Sequence, residues 1–155
     1  FTFSLHVAVM VFLLRKETST PAEPKPKYQN SRLTHDEALA VLAALEQQMS
    51  GQKSYLNPNL TLAQLAKRAG CTQAQVSQVL NDKLGKSFTT YVNAYRIAAA
   101  KQVLIDEPQL NMDIVAERCG FNSSSTFYST FKKVAGQTPA SFRAQPSQAA
   151  TAISA

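Results

Sequence analysis

Only two cysteines occur among the 155 residues, at 71 and 119, and neither sits in a C-x-x-C pair. A disulfide framework and a cysteine-rich zinc module are therefore both excluded. The two histidines, His6 and His35, have no partner at metal or nucleophile spacing. Five glycines, at 51, 70, 85, 120 and 136, cannot write G-x-G-x-x-G or G-x-x-x-x-G-K-[ST]. Neither common phosphate-cradling loop is present, and no cofactor is expected. The ten acidic residues fall at scattered helix ends without a nucleophile–base constellation, so an enzyme is not expected. Strand signals are missing as well: there is no sustained period-2 run and no Asn-Gly hairpin turn. What the chain does have is an ordinary apolar fraction of 45 % and a net charge of +6. The first excludes wholesale disorder. The second favours a polyanionic partner, nucleic acid or an anionic membrane face.

The chain begins with Phe and reads as a fragment or a processed product. Its first 14 residues, FTFSLHVAVMVFLL, hold eleven apolar ones, and Arg15 and Lys16 follow directly. A secretory signal carries its positive charge before the apolar run, not after it. As a helix at ~1.5 Å per residue the run spans about 21 Å, short of the roughly 30 Å hydrocarbon core. Residues 1–16 are therefore expected to be the end of a transmembrane helix cut off by the start of the sequence, with a buried core helix as the alternative. The Arg-Lys stop would anchor the chain in the inner membrane and leave everything after it in the cytoplasm. Residues 17–32 carry three prolines and no large aliphatic side chain, and read as a linker. Residues 144–155 are rich in Ala, Ser and Gln and read as a disordered tail. The folded unit expected is 33–143.

That unit reads as all-α. Thr34 with Glu37 forms a capping box, after which Ala38, Leu42, Leu45 and Met49 recur at helical spacing until Gly51. Thr61 with Gln64 opens a second helix that Gly70 stops. Thr72 with Gln75 opens a third, with Val76, Val79, Leu80 and Leu84 inward and Gly85 at its end. Two short helices joined through a Gly-containing turn make a helix-turn-helix outline over 61–85. The outline then recurs. LAQLAKRAGCT (62–72) aligns with MDIVAERCGFN (112–122) at an offset of 50, and Val76, Leu80 and Gly85 align with Phe127, Phe131 and Gly136 at 51. A supersecondary unit is duplicated, with its second copy at 111–136. Between the copies, residues 87–105 hold no Gly or Pro and show a seam of Phe88, Val92, Ala99 or Ala100, and Val103. Nineteen residues make a helix of about 28 Å. Such a rod would hold two recognition helices roughly one DNA turn, ~34 Å, apart.

The stretch from Tyr55 to Arg143, 89 of the 155 residues, resembles the DNA-binding domain of the AraC/XylS family of bacterial transcription regulators. In the first copy the carriers are A-x-x-x-G-C-T, Ser77, Gly85, Phe88, Arg96, Ala100 and Leu104. In the second they are Ala116, G-F-N-S at 120–123, S-T-F at 125–127, F-K-K at 131–133, G-Q-T-P at 136–139, and Phe142-Arg143. An apolar segment and a Pro-rich linker ahead of this domain resemble members whose sensor half is an integral membrane domain. The resemblance implies seven helices, binding to double-stranded promoter DNA, RNA polymerase as a partner, and a homodimer formed through a sensor half absent from this sequence.

In a helix-turn-helix the N-terminal part of the second helix meets base edges. The outward positions of the first copy are Gln73, Ala74, Gln75, Ser77 and Gln78. The resemblance puts Ala74 and Gln78 at base-reading places; Gln can bond adenine bidentately and Ala can touch a thymine methyl. In the second copy the matching places are Ser125 and Ser129, with Ser124 beside them. Serines are short, so this copy is expected to bind mainly through phosphate. The phosphate candidates are Lys86, Lys132 and Lys133, and the helix starts at Thr61, Thr72 and Ser123. Residues 61–143 hold ten Lys/Arg and five Asp/Glu, a net of +5, so most of the excess charge lies here. Cys71 and Cys119 read as small buried hydrophobes. Arg96 reads as one side of a structural ion pair, and Tyr91 and Tyr95 as packing. The alternative function is a membrane-proximal helical adaptor with a basic lipid- or protein-binding face.

Overall fold

Every α-helix start among residues 33–145, the part of the chain that the computed structural model describes, is closed by a side chain. Thr34 caps α1 (His35–Glu46) in a reciprocal box: its Oγ1 accepts from the Glu37 amide at 3.3 Å, and Glu37 Oε2 accepts from the Thr34 amide at 2.8 Å. Thr61 and Gln64 do the same for α2 (Leu62–Arg68), and Thr72 and Gln75 for α3 (Gln73–Leu84). Ser87 caps α4 (Phe88–Asp106) and Asn111 caps α5 (Met112–Arg118). Ser123 caps α6 (Ser124–Ala135), and Thr138 caps α7 (Pro139–Ala144), which has Pro139 at its start. Each such cap satisfies an orphan amide and stabilises its helix by ~1 kcal/mol. Seven α-helices and no strand occur among the described residues, as the sequence implied. The unforeseen elements are a wide π-type turn over Gln47–Gly51 and a single 3-10 turn, Ser54–Leu56.

Two separate cores form. One gathers α1, α2, α3 and the start of α4, with Leu45, Leu65, Val76 and Val92 at its centre. The other gathers the rest of α4 with α5 to α7, around Val115, Phe127 and Phe131. The expected seam on α1 shifts slightly: Val41 is buried with Ala38, Leu45 and Met49, while Leu42 is only partly covered.

The expected seam on α4 needs a larger correction. Tyr91 and Val92 are buried in the first core, and Ile97, Ala100 and Leu104 in the second; Phe88 and Val103 are only partly covered. At ~100° per residue these two sets lie on roughly opposite faces of the helix. The connecting helix therefore has no single seam. It is shared by two bodies that grip it from different sides, and a search for one stripe averages the two.

Among the described residues no helix is long and apolar enough to cross a membrane. Residues 1–16 and 17–32, and the tail beyond 145, lie outside the described residues.

Candidate nucleic-acid interface

The two helix-turn-helix units match at the level of backbone bonds. In the first, the Gly70 amide donates to Lys67 O at 3.2 Å and the Cys71 amide to Ala66 O at 2.9 Å. In the second, Gly120 donates to Glu117 O at 3.0 Å and Phe121 to Ala116 O at 3.0 Å. The same turn thus aims α3 and α6 away from α2 and α5.

On α3, Gln73 and Ala74 are exposed, whereas Ser77 and Gln78 are half-buried. Gln78 lines a shallow groove with Leu33, Ala38 and Asp82. Gln75 is engaged in the cap, its Oε1 accepting from the Thr72 amide at 2.8 Å. On α6, Ser125 and Ser129 are exposed, and the Ser129 hydroxyl donates back to Thr126 O at 3.1 Å. Ser124 is half-buried and its hydroxyl donates to the Asp113 carboxylate at the start of α5. The eight predicted base-readers therefore all lie on the two second helices, with Gln73, Ala74, Ser125 and Ser129 exposed and the rest half-buried, and Gln75 and Ser124 already have partners within the protein.

Tyr128 was missed. It is exposed on α6 between the serines, its ring edge-on to Phe127 at 5.7 Å. At the offset of 51 it is the counterpart of Ser77, so the alignment itself pointed to it. A phenol adds both a hydroxyl and an apolar face to an otherwise short-chained reader.

Among the phosphate candidates, Lys132 and Lys133 are exposed in the last turn of α6. Lys86 follows the left-handed Gly85 cap and is half-buried, and burial lowers its ammonium pKa. Thr61, Thr72 and Ser123 all have their hydroxyl oxygens engaged as caps. What each helix start can still offer a phosphate is its first backbone amides.

The remaining polar residues do structural work. Among the described residues Arg96 has no ion-pair partner: its Nε donates to Tyr55 O at 2.8 Å and its Nη2 to Asn57 O at 2.9 Å. The Tyr95 hydroxyl donates to Glu46 Oε2 at 2.5 Å, and its ring meets Tyr91 edge-on, so these tyrosines are packing residues. Burial pushes the Tyr91 phenol up to about 12, its hydrogen bond with Tyr95 offsetting part of the rise and the nearby Glu46 carboxylate adding to it, so it stays neutral. Cys119 is fully buried and burial pushes its thiol up to about 11; Cys71 is only partly buried, with its thiol raised by the same cause. Neither is a thiolate near neutral pH, which suits the hydrophobe reading, although Cys71 is less enclosed than expected.

A family model described as a helix-turn-helix domain matches residues 65–145. An uncharacterised HTH-type transcriptional regulator of Bacillus subtilis, YtdP, is 35% identical over 86 residues, which cover 56% of this chain and 11% of that protein. The chain thus spans about a tenth of that relative's length. A transcriptional regulator of the AraC-type DNA-binding-domain-containing proteins from Chromobacterium violaceum superimposes with a TM-score of 0.61 at 24% identity, over 71% of this chain and 97% of that one. The DNA-binding domain of AdpA, a global transcriptional factor solved in complex with a target DNA, gives a TM-score of 0.58 at 21% identity, over 68% of this chain and 90% of that one. These two structures show the fold alone. With the family model matching more than half of its residues, the chain belongs to the AraC-type helix-turn-helix family of DNA-binding transcription regulators.

Proposed function

We propose that this domain binds promoter DNA by placing α3 and α6 in successive major-groove segments on one face of the duplex, and that the whole protein uses it to control transcription. The observation that carries the reading is the doubled unit itself, with the first turn of each second helix exposing small or polar side chains, Gln73 and Ala74 on α3 and Ser125 on α6. The AdpA domain, which has the same fold, was solved with DNA bound. Selection of bound sequences from a random duplex pool tests the reading directly. It is sunk if no sequence is enriched and binding does not respond to salt. RNA polymerase is the partner proposed at the promoter, and a homodimer through a sensor half is proposed for the complete protein.

The two readers should differ in how they discriminate. Gln78 is the longest polar side chain at a base-reading place, while its counterpart Ser129 is short. A bidentate contact discriminates by ~1–3 kcal/mol, against ~1 kcal/mol or less for one hydroxyl bond. Gln78→Ala should relax preference at one or two base pairs of the first half-site more than Ser129→Ala does in the other half. Affinities measured on single-base-substituted duplexes check this; the reverse order overturns the ranking of the readers.

The apolar run FTFSLHVAVMVFLL followed by Arg15-Lys16 supports an inner-membrane anchor, with the domain on the cytoplasmic side. The complete protein should then sediment with membranes and resist carbonate extraction. Recovery in the soluble fraction would retire the anchor and leave the DNA reading untouched.

A further inference from the structure

The two cores share α4 alone, and a single helix gripped from two sides leaves its bodies free to pivot about it. A second link runs beside it. Ser54 is buried, and the end of α2 holds it: Arg68 Nη1 donates to Ser54 Oγ at 3.2 Å, while Gln48 Nε2 donates to Arg68 O at 3.2 Å. The next residues reach across to the second unit. Arg96, between the two buried faces of α4, forks onto the carbonyls of Tyr55 and Asn57 at 2.8 and 2.9 Å. Its guanidinium also lies over the Phe121 ring, 5.7 Å from the centroid. Asn122, directly before the Ser123 cap of α6, donates through Nδ2 to Pro58 O at 3.2 Å.

The glycines of the two turns show how close this approach is. Both have positive φ, +67° at Gly70 and +81° at Gly120. A Cβ on Gly70 would meet nothing within 4 Å. A Cβ on Gly120 would come within 2.5 Å of Tyr55 O and 2.9 Å of Leu56 O. The turns are equal in sequence pattern and bonding, yet only the second has another segment's backbone laid against it.

We propose that segment 54–59, held by Arg96 and Asn122, is a clamp that sets the spacing and rotation at which the two reading helices meet DNA. Arg96 and Asn122 are positioning residues that touch no base, and the inference rests on the two-reader mode of binding proposed above. One inserted base pair moves a half-site by ~3.4 Å and turns it by roughly 35°, given about 10–10.5 base pairs per 34–36 Å turn. A clamped pair of readers cannot follow that displacement. A pair joined by α4 alone can.

The test uses the full chain, its selected duplex, and duplexes with one base pair added to or removed from the middle of the site. The native protein should lose roughly tenfold in affinity on either change, the scale of one mismatched base pair. Arg96→Met and Asn122→Ala, checked for folding by circular dichroism, should bind the native spacing more weakly and lose no more than about threefold on the change. Their base preferences within each half-site should remain native. Arg96→Lys should fall between, since an ammonium cannot fork onto two carbonyls. Asn122 is exposed, so its variant keeps the test decisive if Arg96→Met does not fold. A folded variant with the full native penalty overturns the clamp, as does a native protein indifferent to spacing. Absence of salt-dependent binding to any duplex overturns the DNA reading first, and is seen separately.

Discussion

Phe127→Ala should lower the free energy of unfolding by about 3–5 kcal/mol. Phe127 is fully buried at the centre of the second core. Its ring meets Phe121 at 5.3 Å, Phe131 at 5.7 Å and Tyr128 at 5.7 Å, all edge-on. Truncation removes the transfer energy of the ring and leaves a cavity that three aromatic neighbours cannot close without leaving their rotamers. A domain of this size is stable by only ~5–15 kcal/mol, so the variant would stand near the edge of folding. The loss should also be local. The first core shares no buried residue with the second, so amide exchange should speed up in α5, α6 and α7 before it does in α2 and α3. Urea unfolding with an unchanged slope and a lowered midpoint gives the magnitude. A loss below about 1 kcal/mol would mean that the second core does not rest on this ring.

Replacing Lys132 and Lys133 together with alanine should weaken DNA binding roughly thirtyfold at about 0.15 M salt. The two ammonium groups are exposed on the last turn of α6. Each phosphate left without its lysine keeps its condensed counterion and flattens the plot of log K against log salt by ~0.9, so the slope should fall by about 1.8. The weakening should be the same for every duplex sequence, because phosphates carry no base identity. It should also be confined to the second half-site. The matching positions of α3 are Asn81 and Asp82, which hold no basic pair. Titrations at several salt concentrations check this. An unchanged slope in the double variant would leave the two lysines as a solvated helix end interacting only with the α6 dipole.

Much of the fold was legible because its signals are local. A Thr with Glu or Gln three residues on closes a box within one turn, whatever the rest of the chain does. Thr34, Thr61 and Thr72 accordingly form the boxes that their neighbours announced. The duplication was legible for the same reason, since both units repeat the same short-range pattern. The site was legible only in outline. Gln75 and Ser124 have the right polarity and lie on the right helices, but a cap and the Asp113 carboxylate engage them. Tyr128 stands in the alignment opposite Ser77, yet an aromatic between Phe127 and Phe131 looks like core. Its exposure follows from the face of α6 on which it falls.

Residues 33–143 by themselves determined an all-α unit, the capping boxes that open its first three helices, and which pairs form helix-turn-helix units, because those outcomes are settled within a few residues of each cap and each glycine; the count of seven helices came with the family resemblance. Only the tertiary structure decided that α4 buries opposite faces in its two halves. It likewise decided that Arg96 meets carbonyls 39 and 41 residues earlier rather than a carboxylate, and that Gly120 is needed for space as well as for its backbone angle. The first depends on two cores assembled from helices on either side of α4, and the other two on where the segment 54–59 comes to lie. That segment has no periodicity of its own, and its place is set by bonds to Arg68, Arg96 and Asn122, residues far away along the chain.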